Sequence, residues 1–194
     1  MELTDLAFVA KARLGDADAF RALVERHSRP LFRLAFRMTG NQHDAEDVVQ
    51  ESFLRAYRQL GKFDERASFG TWLYRIATNC SLDVMRSRKR RAKQEAGPEA
   101  AVSEMEDPVL SLPSGDPTPD RVAMSGEVRE RVAEAMNQLS ASERTAFVLR
   151  HFEGMRMEDI SRVLGCQIGA AKHSVFRAVQ KLRRALEPFL NGAR

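Results

Sequence analysis

At 194 residues the chain is long for one small core and comfortable for two. Its net charge of +4 is modest but unevenly placed, and its two cysteines, Cys80 and Cys166, stand far apart without CxxC spacing, which points to unpaired thiols in a reducing compartment. No apolar run approaches the length of a membrane span, and charge interrupts every apolar stretch of MELTDLAFVAKARLGDADAF, so the chain reads as cytoplasmic, with no signal peptide and no membrane insertion.

From Asp16 onward, Phe20, Leu23, Val24, His27, Leu31, Leu34, Ala35 and Met38 recur at spacings of three and four, one face of a helix. Pro30 predicts a kink or break there, and Gly40 an end. On that apolar stripe His27 reads as a satisfied core histidine. Asn41, three residues before Asp44, predicts the cap of a second helix, DAEDVVQESFLRAYRQL. Its inward stripe is Ala45, Val48, Val49, Ser52, Phe53, Ala56, Tyr57 and Leu60. Asp47, Gln50, Glu51 and Leu54 are left on another face. A loop, GKFDERAS, follows, with Ser68 placed to cap a helix that opens FGTWLYRIATN and continues through CSLDVMRSRKRR. These elements predict an N-terminal bundle of about four helices over residues 1–93.

That last helix ends in RSRKRRAK, six cations in eight residues. Beyond it, residues 94–121 hold five of the seven prolines and seven acids, with apolar content too low to offset chain entropy, and read as a flexible acidic linker. Residues 122–194 resume helical periodicity. Val128, Val132, Ala135, Met136 and Leu139 form one stripe, and Ser140 with Glu143 makes a capping box for SERTAFVLRHF, which Gly154 ends. MEDISRVLG, a turn at Gly165 and Cys166, and IGAAKHSVFRAVQKLRRAL then form a helix-turn-helix whose second helix has no acid from Lys172 to Arg184. The expected fold is all-α, two small helical domains joined by the linker. Two basic helices, each on its own apolar scaffold, suggest two grips on one polyanion, since clustered Lys and Arg gain affinity by releasing condensed counterions.

The order DAEDVVQESFLRAY, FGTWLYRIATN, a basic helix, a Pro-rich acidic linker, LSASERTAFVLRHFEGM and a basic helix-turn-helix resembles the extracytoplasmic-function class of bacterial sigma factors, from about Asp16 to Leu186. The resemblance implies core RNA polymerase, promoter DNA and an anti-sigma factor as partners, no cofactor, and a response to stress or envelope signals. It implies that Asp47, Gln50, Glu51 and Leu54 dock on a coiled coil of the polymerase largest subunit, a role that acids and amides on one helix face can fill. It assigns Phe63, Asp64, Arg66 and Ser68 to a loop that captures an unstacked −10 base, with Asn79 as the amide suited to a base edge. Trp72 is expected in the core. Arg86, Arg88, Lys89, Arg90 and Arg91 would grip phosphates around the −10 duplex, which positions without specifying.

In the second domain the resemblance puts Lys172, His173, Ser174, Phe176 and Arg177 at the start of the −35 recognition helix, with Arg150 also reaching DNA. For Phe176, core packing remains an equal alternative. The chain departs from the family at three positions. Ala170 replaces a common Thr, Ser174 an expected Arg, and Arg156 a Ser that usually caps the preceding helix. His173 is then a substitute base reader and Arg156 a substitute phosphate contact. The linker reads either as a tether in the channel later used by RNA or as a solvated spacer.

Two other functions compete. An autonomous helix-turn-helix regulator accounts for the second half but leaves the acidic helix and FGTWLYRIATN without a role. A nucleic-acid hydrolase lacks support from any metal-ligand cluster, nucleophile-base spacing or phosphate-binding glycine loop, and His27, His43, His151 and His173 are scattered. The expectation is a protein that is not an enzyme.

Overall fold

The computed structural model describes residues 2–95 and 131–191, with side chains from 5 to 91 and from 131 to 187, and every regular element in those spans is helical. In chain order these are α1 (Glu2–Arg13), α2 (Ala17–Thr39), α3 (Gln42–Gln59), a 3-10 turn at Leu60–Lys62 and α4 (Phe69–Glu95). After them come α5 (described over 131–137), α6 (Ala141–His151), α7 (Met157–Leu164) and α8 (Ile168–Asn191). Helix α4 runs past Lys93; the rest of the expected linker, 96–121, and the start of the helix expected from 122 lie outside the described residues.

The helix ends follow from local chemistry. Asp16 accepts from the Ala19 amide at 3.0 Å, and Asn41 accepts from the Asp44 amide at 2.9 Å. Ser140 and Glu143 close a reciprocal capping box, at 3.3 Å and 2.9 Å. Gly40 ends α2 and Gly165 ends α7, at φ of 70° and 64°, a backbone region where a Cβ is strained. Residues Ile160, Ser161 and Val163 bury one face of α7, and the Gly165 turn swings the chain into α8.

Two expectations are corrected. Helix α2 continues through Pro30 without a break. An internal proline costs about 3 kcal/mol, but Leu31, Leu34, Ala35 and Met38 beyond it are all fully buried, and each large apolar side chain contributes roughly 1.5–3 kcal/mol. Burial of the second half thus holds the helix together. Tyr57, expected inside, is 56% exposed and meets only the edge of Phe20, at 4.9 Å between ring centres, because α2 and α3 diverge there into a groove.

Helix α1 was not expected. Val9 and Ala12 bury its inner face, while Asp5, itself buried, pairs with Arg26 at 2.6 Å and with His27 at 3.0 Å. His27 also lies edge-on to Phe69, at 5.3 Å, so it is the satisfied core histidine its position predicted.

One apolar core runs through both halves of the chain: Leu23, Leu34, Met38, Phe69 and Leu73 are continuous with Val148, Leu149, Ile160 and Val163. A smaller cluster, Ala135, Leu139, Ala178 and Leu182, ties α5 to α8. The halves meet where α6 lies on α2 and α7 on α4. Polar contacts fix this seam. Arg144 donates to the Met38 carbonyl at 2.8 Å, satisfying an orphan at the end of α2, and burial pushes its guanidinium below the usual arginine range. Glu153 accepts from Arg37 at 2.7 Å and from the Tyr74 hydroxyl at 3.0 Å.

Candidate nucleic-acid interface

The loop between α3 and α4 is built on aromatic rings. Phe63 is 3% exposed, with its ring 6.0 Å from Phe69 and 5.2 Å from Trp72. The half-buried Trp72 also meets Phe69, at 5.7 Å, in keeping with its core assignment. Buried this way, Phe63 supports the loop from below and cannot present its ring to a base, so of the expected pocket residues it is the one the fold withdraws. Asp64 and Arg66 remain exposed and pair with each other at 3.0 Å. Ser68 caps α4 through the Thr71 amide at 3.1 Å. Asn79 is exposed on α4, one turn after an exposed arginine, Arg75, that the sequence reading passed over. The four-residue spacing of Arg75 and Asn79 was the available signal.

Farther along α4 the basic run emerges from the bundle. Arg86 reaches Asp83 at 3.3 Å, and Arg88 reaches Asp44 at 3.6 Å, anchoring the run to the start of α3. Lys89, Arg90 and Arg91 are exposed and pair with no carboxylate among the described residues, a concentration of uncompensated positive charge suited to phosphates.

On α3, Asp47 and Gln50 are exposed, Leu54 is 44% exposed, and Glu51 is drawn to Arg55 at 2.6 Å. Gln50 and Leu54 border the groove between α2 and α3, about 900 Å³ and floored by Phe20, Val24, Phe32, Val49 and Phe53. The expected docking residues therefore edge a largely apolar trough. Below them Cys80 is buried, and that burial pushes its thiol up, away from reactive thiolate chemistry.

At the start of α8, Lys172, His173 and Arg177 are exposed and Phe176 is 60% exposed, while Ala171 and Ala178 face inward. Phe176 thus lies outside the core. The Ser174 hydroxyl bonds back to the Ala170 carbonyl at 3.0 Å, within its own helix. Arg150 donates to the Met155 carbonyl at 3.0 Å across the preceding turn. Arg156 holds the cap position of α7 without a side-chain capping bond, as expected where Arg replaces Ser. It stands apart from the α8 residues, in a cleft with Arg66, Ser68, Glu158, Asp159 and Arg162, where α7 faces the α3–α4 loop.

Sequence reasoning missed Arg13, Arg144 and Glu153, which join elements 47 or more residues apart through side chains of types that usually face solvent.

Comparison with known proteins covers almost all of this surface. Residues 23–91 match the family described as Sigma-70 region 2, and residues 129–182 match Sigma-70, region 4. The chain is 34% identical to the RNA polymerase sigma-H factor of Pseudomonas aeruginosa, over 97% of each chain. It is 31% identical to the ECF RNA polymerase sigma factor SigW of Bacillus subtilis, over 96% of this chain and 98% of that one. Among solved structures it resembles CnrH in complex with the cytosolic domain of CnrY, with a TM-score of 0.68 and 26% identity over 95% of this chain and 98% of that one. It also resembles the sigma factor RpoE of Bartonella quintana in complex with the anti-sigma factor NepR, with a TM-score of 0.62 and 25% identity over 87% and 96% of the two chains.

Proposed function

The chain belongs to the extracytoplasmic-function class of bacterial RNA polymerase sigma factors, and from that premise we propose how its surfaces divide the work of initiation. The protein binds core polymerase and directs it to promoters. In this reading the Asp47, Gln50, Glu51 and Leu54 face docks on core. Asp64, Arg66, Ser68 and Asn79 receive the opened −10 strand, with Phe63 bracing the loop beneath them. Arg86 to Arg91 hold adjacent phosphates, and Lys172, His173, Phe176 and Arg177 read the −35 element. The protein carries out no reaction of its own and works in the cytoplasm, where transcription takes place; among the described residues no helix is long and apolar enough to cross a membrane. An anti-sigma factor is its proposed regulator, by analogy with RpoE of Bartonella quintana, solved with the anti-sigma factor NepR.

The observation that carries the reading is the pairing of two exposed cationic surfaces, the end of α4 and the start of α8, on helices seated against buried apolar side chains. The reading also requires the halves to part. The two promoter elements lie about 25 base pairs apart, roughly 85 Å at 3.4 Å per step, whereas a compact chain of this length is about 40 Å across. Residues 96–121, fully extended, could reach roughly 85–90 Å, about the span required.

Reversing Asp47 and Glu51 to Lys tests the docking face. Losing the Glu51–Arg55 pair and setting like charges at that spacing should cost only a few tenths of a kcal/mol in stability, so helicity should persist while affinity for core polymerase drops at least tenfold. Undiminished affinity would reject this face.

A further inference from the structure

The α3–α4 loop is contacted by a residue that lies ahead of the segment matched to Sigma-70 region 2. Region 2 similarity begins at residue 23, yet Arg13, the last residue of α1, reaches across to the loop. Its Nε donates to the Leu60 carbonyl at 3.2 Å, one Nη donates to the Phe63 carbonyl, and the other contacts Glu65 Oε1 at 2.9 Å. The guanidinium also lies 5.8 Å from the centre of the Phe63 ring. Its side chain is only 29% exposed, so these contacts are partly shielded from water.

Glu65 is the single described non-glycine residue at positive φ, 62°. Such a conformation costs of order 1 kcal/mol or more and persists only where surrounding contacts fix it. The Glu65 carboxylate meets Arg13 at 2.9 Å, the one ion pair that Glu65 makes among the described residues. That pair neutralises a carboxylate that would otherwise repel a DNA strand entering beside Arg66. The bonds to Leu60 and Phe63 hold the chain ahead of the turn, keeping Phe63 buried and leaving Asp64 and Arg66 outward. A lysine could not reproduce this, because its point charge lacks the planar fork that serves three acceptors in different directions.

We propose that Arg13 is a positioning residue for promoter opening: it shapes the Phe63–Ser68 loop into the form that receives the unstacked −10 base. This rests on the assignment of that loop to base capture. Arg13 touches no DNA in this account and acts through the loop, so it affects the opening step and not recruitment.

The test uses full-length protein with core polymerase and a duplex promoter, and reads permanganate reactivity of −10 thymines. Arg13→Ala should lower reactivity about tenfold, Arg13→Lys nearly as much, and Glu65→Gln, which spares the two carbonyl bonds, no more than about threefold. Affinity for core polymerase and for −35 duplex should be unchanged in all three, and a pre-opened bubble template should restore most transcription. A role confined to general stability would lower binding and bubble transcription together. Should Arg13→Ala fail to fold, Arg13→Lys and Glu65→Gln carry the same contrast. Asn79→Ala serves as the comparison. Reduced opening with Asn79→Ala but normal opening with the Arg13 variants overturns the role of Arg13 and leaves the base-capture reading standing. Normal opening in every variant overturns both.

Discussion

The two regions proposed to meet promoter DNA are presented very differently. The start of α8 is a straight helix whose cations and Phe176 project into solvent, over buried alanines that keep it seated. The segment assigned to −10 is a bent loop over three packed rings, tied by Arg13 to α1, and α7 lies across a cleft from it with Arg156, Glu158, Asp159 and Arg162 on the facing wall. A preformed helix can enter a duplex groove as it stands. In the closed chain α7 stands across the cleft from that loop, with Asp159 paired to Arg162 at 2.9 Å. In the proposed reading the closed chain already presents its −35 helix to solvent, while its −10 loop is still covered by α7 and is freed when the halves part.

Breaking the scaffold of one region should expose the difference most strongly. Phe69 is 1% exposed and carries Phe63, Trp72 and His27 around it. Phe69→Ala should cost about 3–5 kcal/mol of stability, visible as a lower thermal midpoint. Promoter opening should be lost with it, and no single change at the exposed face of α8 should cost comparable stability. A midpoint shift no larger than that of a surface variant would show that the rings do not carry the loop.

The comparison sharpens at the level of single contacts. Lys172→Ala and Arg177→Ala should each weaken −35 binding by about 1–3 kcal/mol where the side chain makes a bidentate base contact, and relax specificity at that position. Neutralising Lys89 or Arg90 should have the smaller effect, nearly uniform across sequences, with a flatter salt dependence by about one unit of slope per charge. Titrations at several salt concentrations with matched and mismatched duplexes separate the two behaviours. Altered preference without altered slope in the Lys89 or Arg90 variants would reverse the roles assigned here.

Much of this was legible because it is local. Asn41 and the Ser140–Glu143 box are read from spacings of three, and the α2, α3 and α8 stripes from periods of three and four. The exposed cations of α4 and α8 were legible for the same reason, since runs without acids stay on the surface. What escaped was long-range. The breadth of α2 depends on burial after Pro30, which outweighs a local signal to break. Tyr57 sits on the correct face of α3 and reaches Phe20 of α2, yet stays exposed at the edge of the groove between the two helices. Phe63 belongs to a loop by local pattern and to the core by its contacts with Phe69 and Trp72. The seam is the least legible of all, because Arg144, Arg37 and Glu153 are residue types that normally signal solvent, and the Arg37–Glu153 and Arg144–Met38 contacts each join residues more than 100 apart.

That seam decides the account. Glu153 is 5% exposed along its side chain and accepts from both Arg37 and Tyr74, and burial, with the Glu153 carboxylate beside it, pushes the Tyr74 hydroxyl well above its usual range. The most direct measurement is the distance between spin labels on exposed Arg58 of α3 and Gln180 of α8, taken in the free protein and in the complex with core polymerase and promoter DNA. A single short distance is predicted for the free chain, a longer one by several tens of ångströms in the promoter complex, and a partial shift toward the longer distance in free Glu153→Gln. The same short distance in the promoter complex would contradict the account, because both elements would then be held by a closed chain.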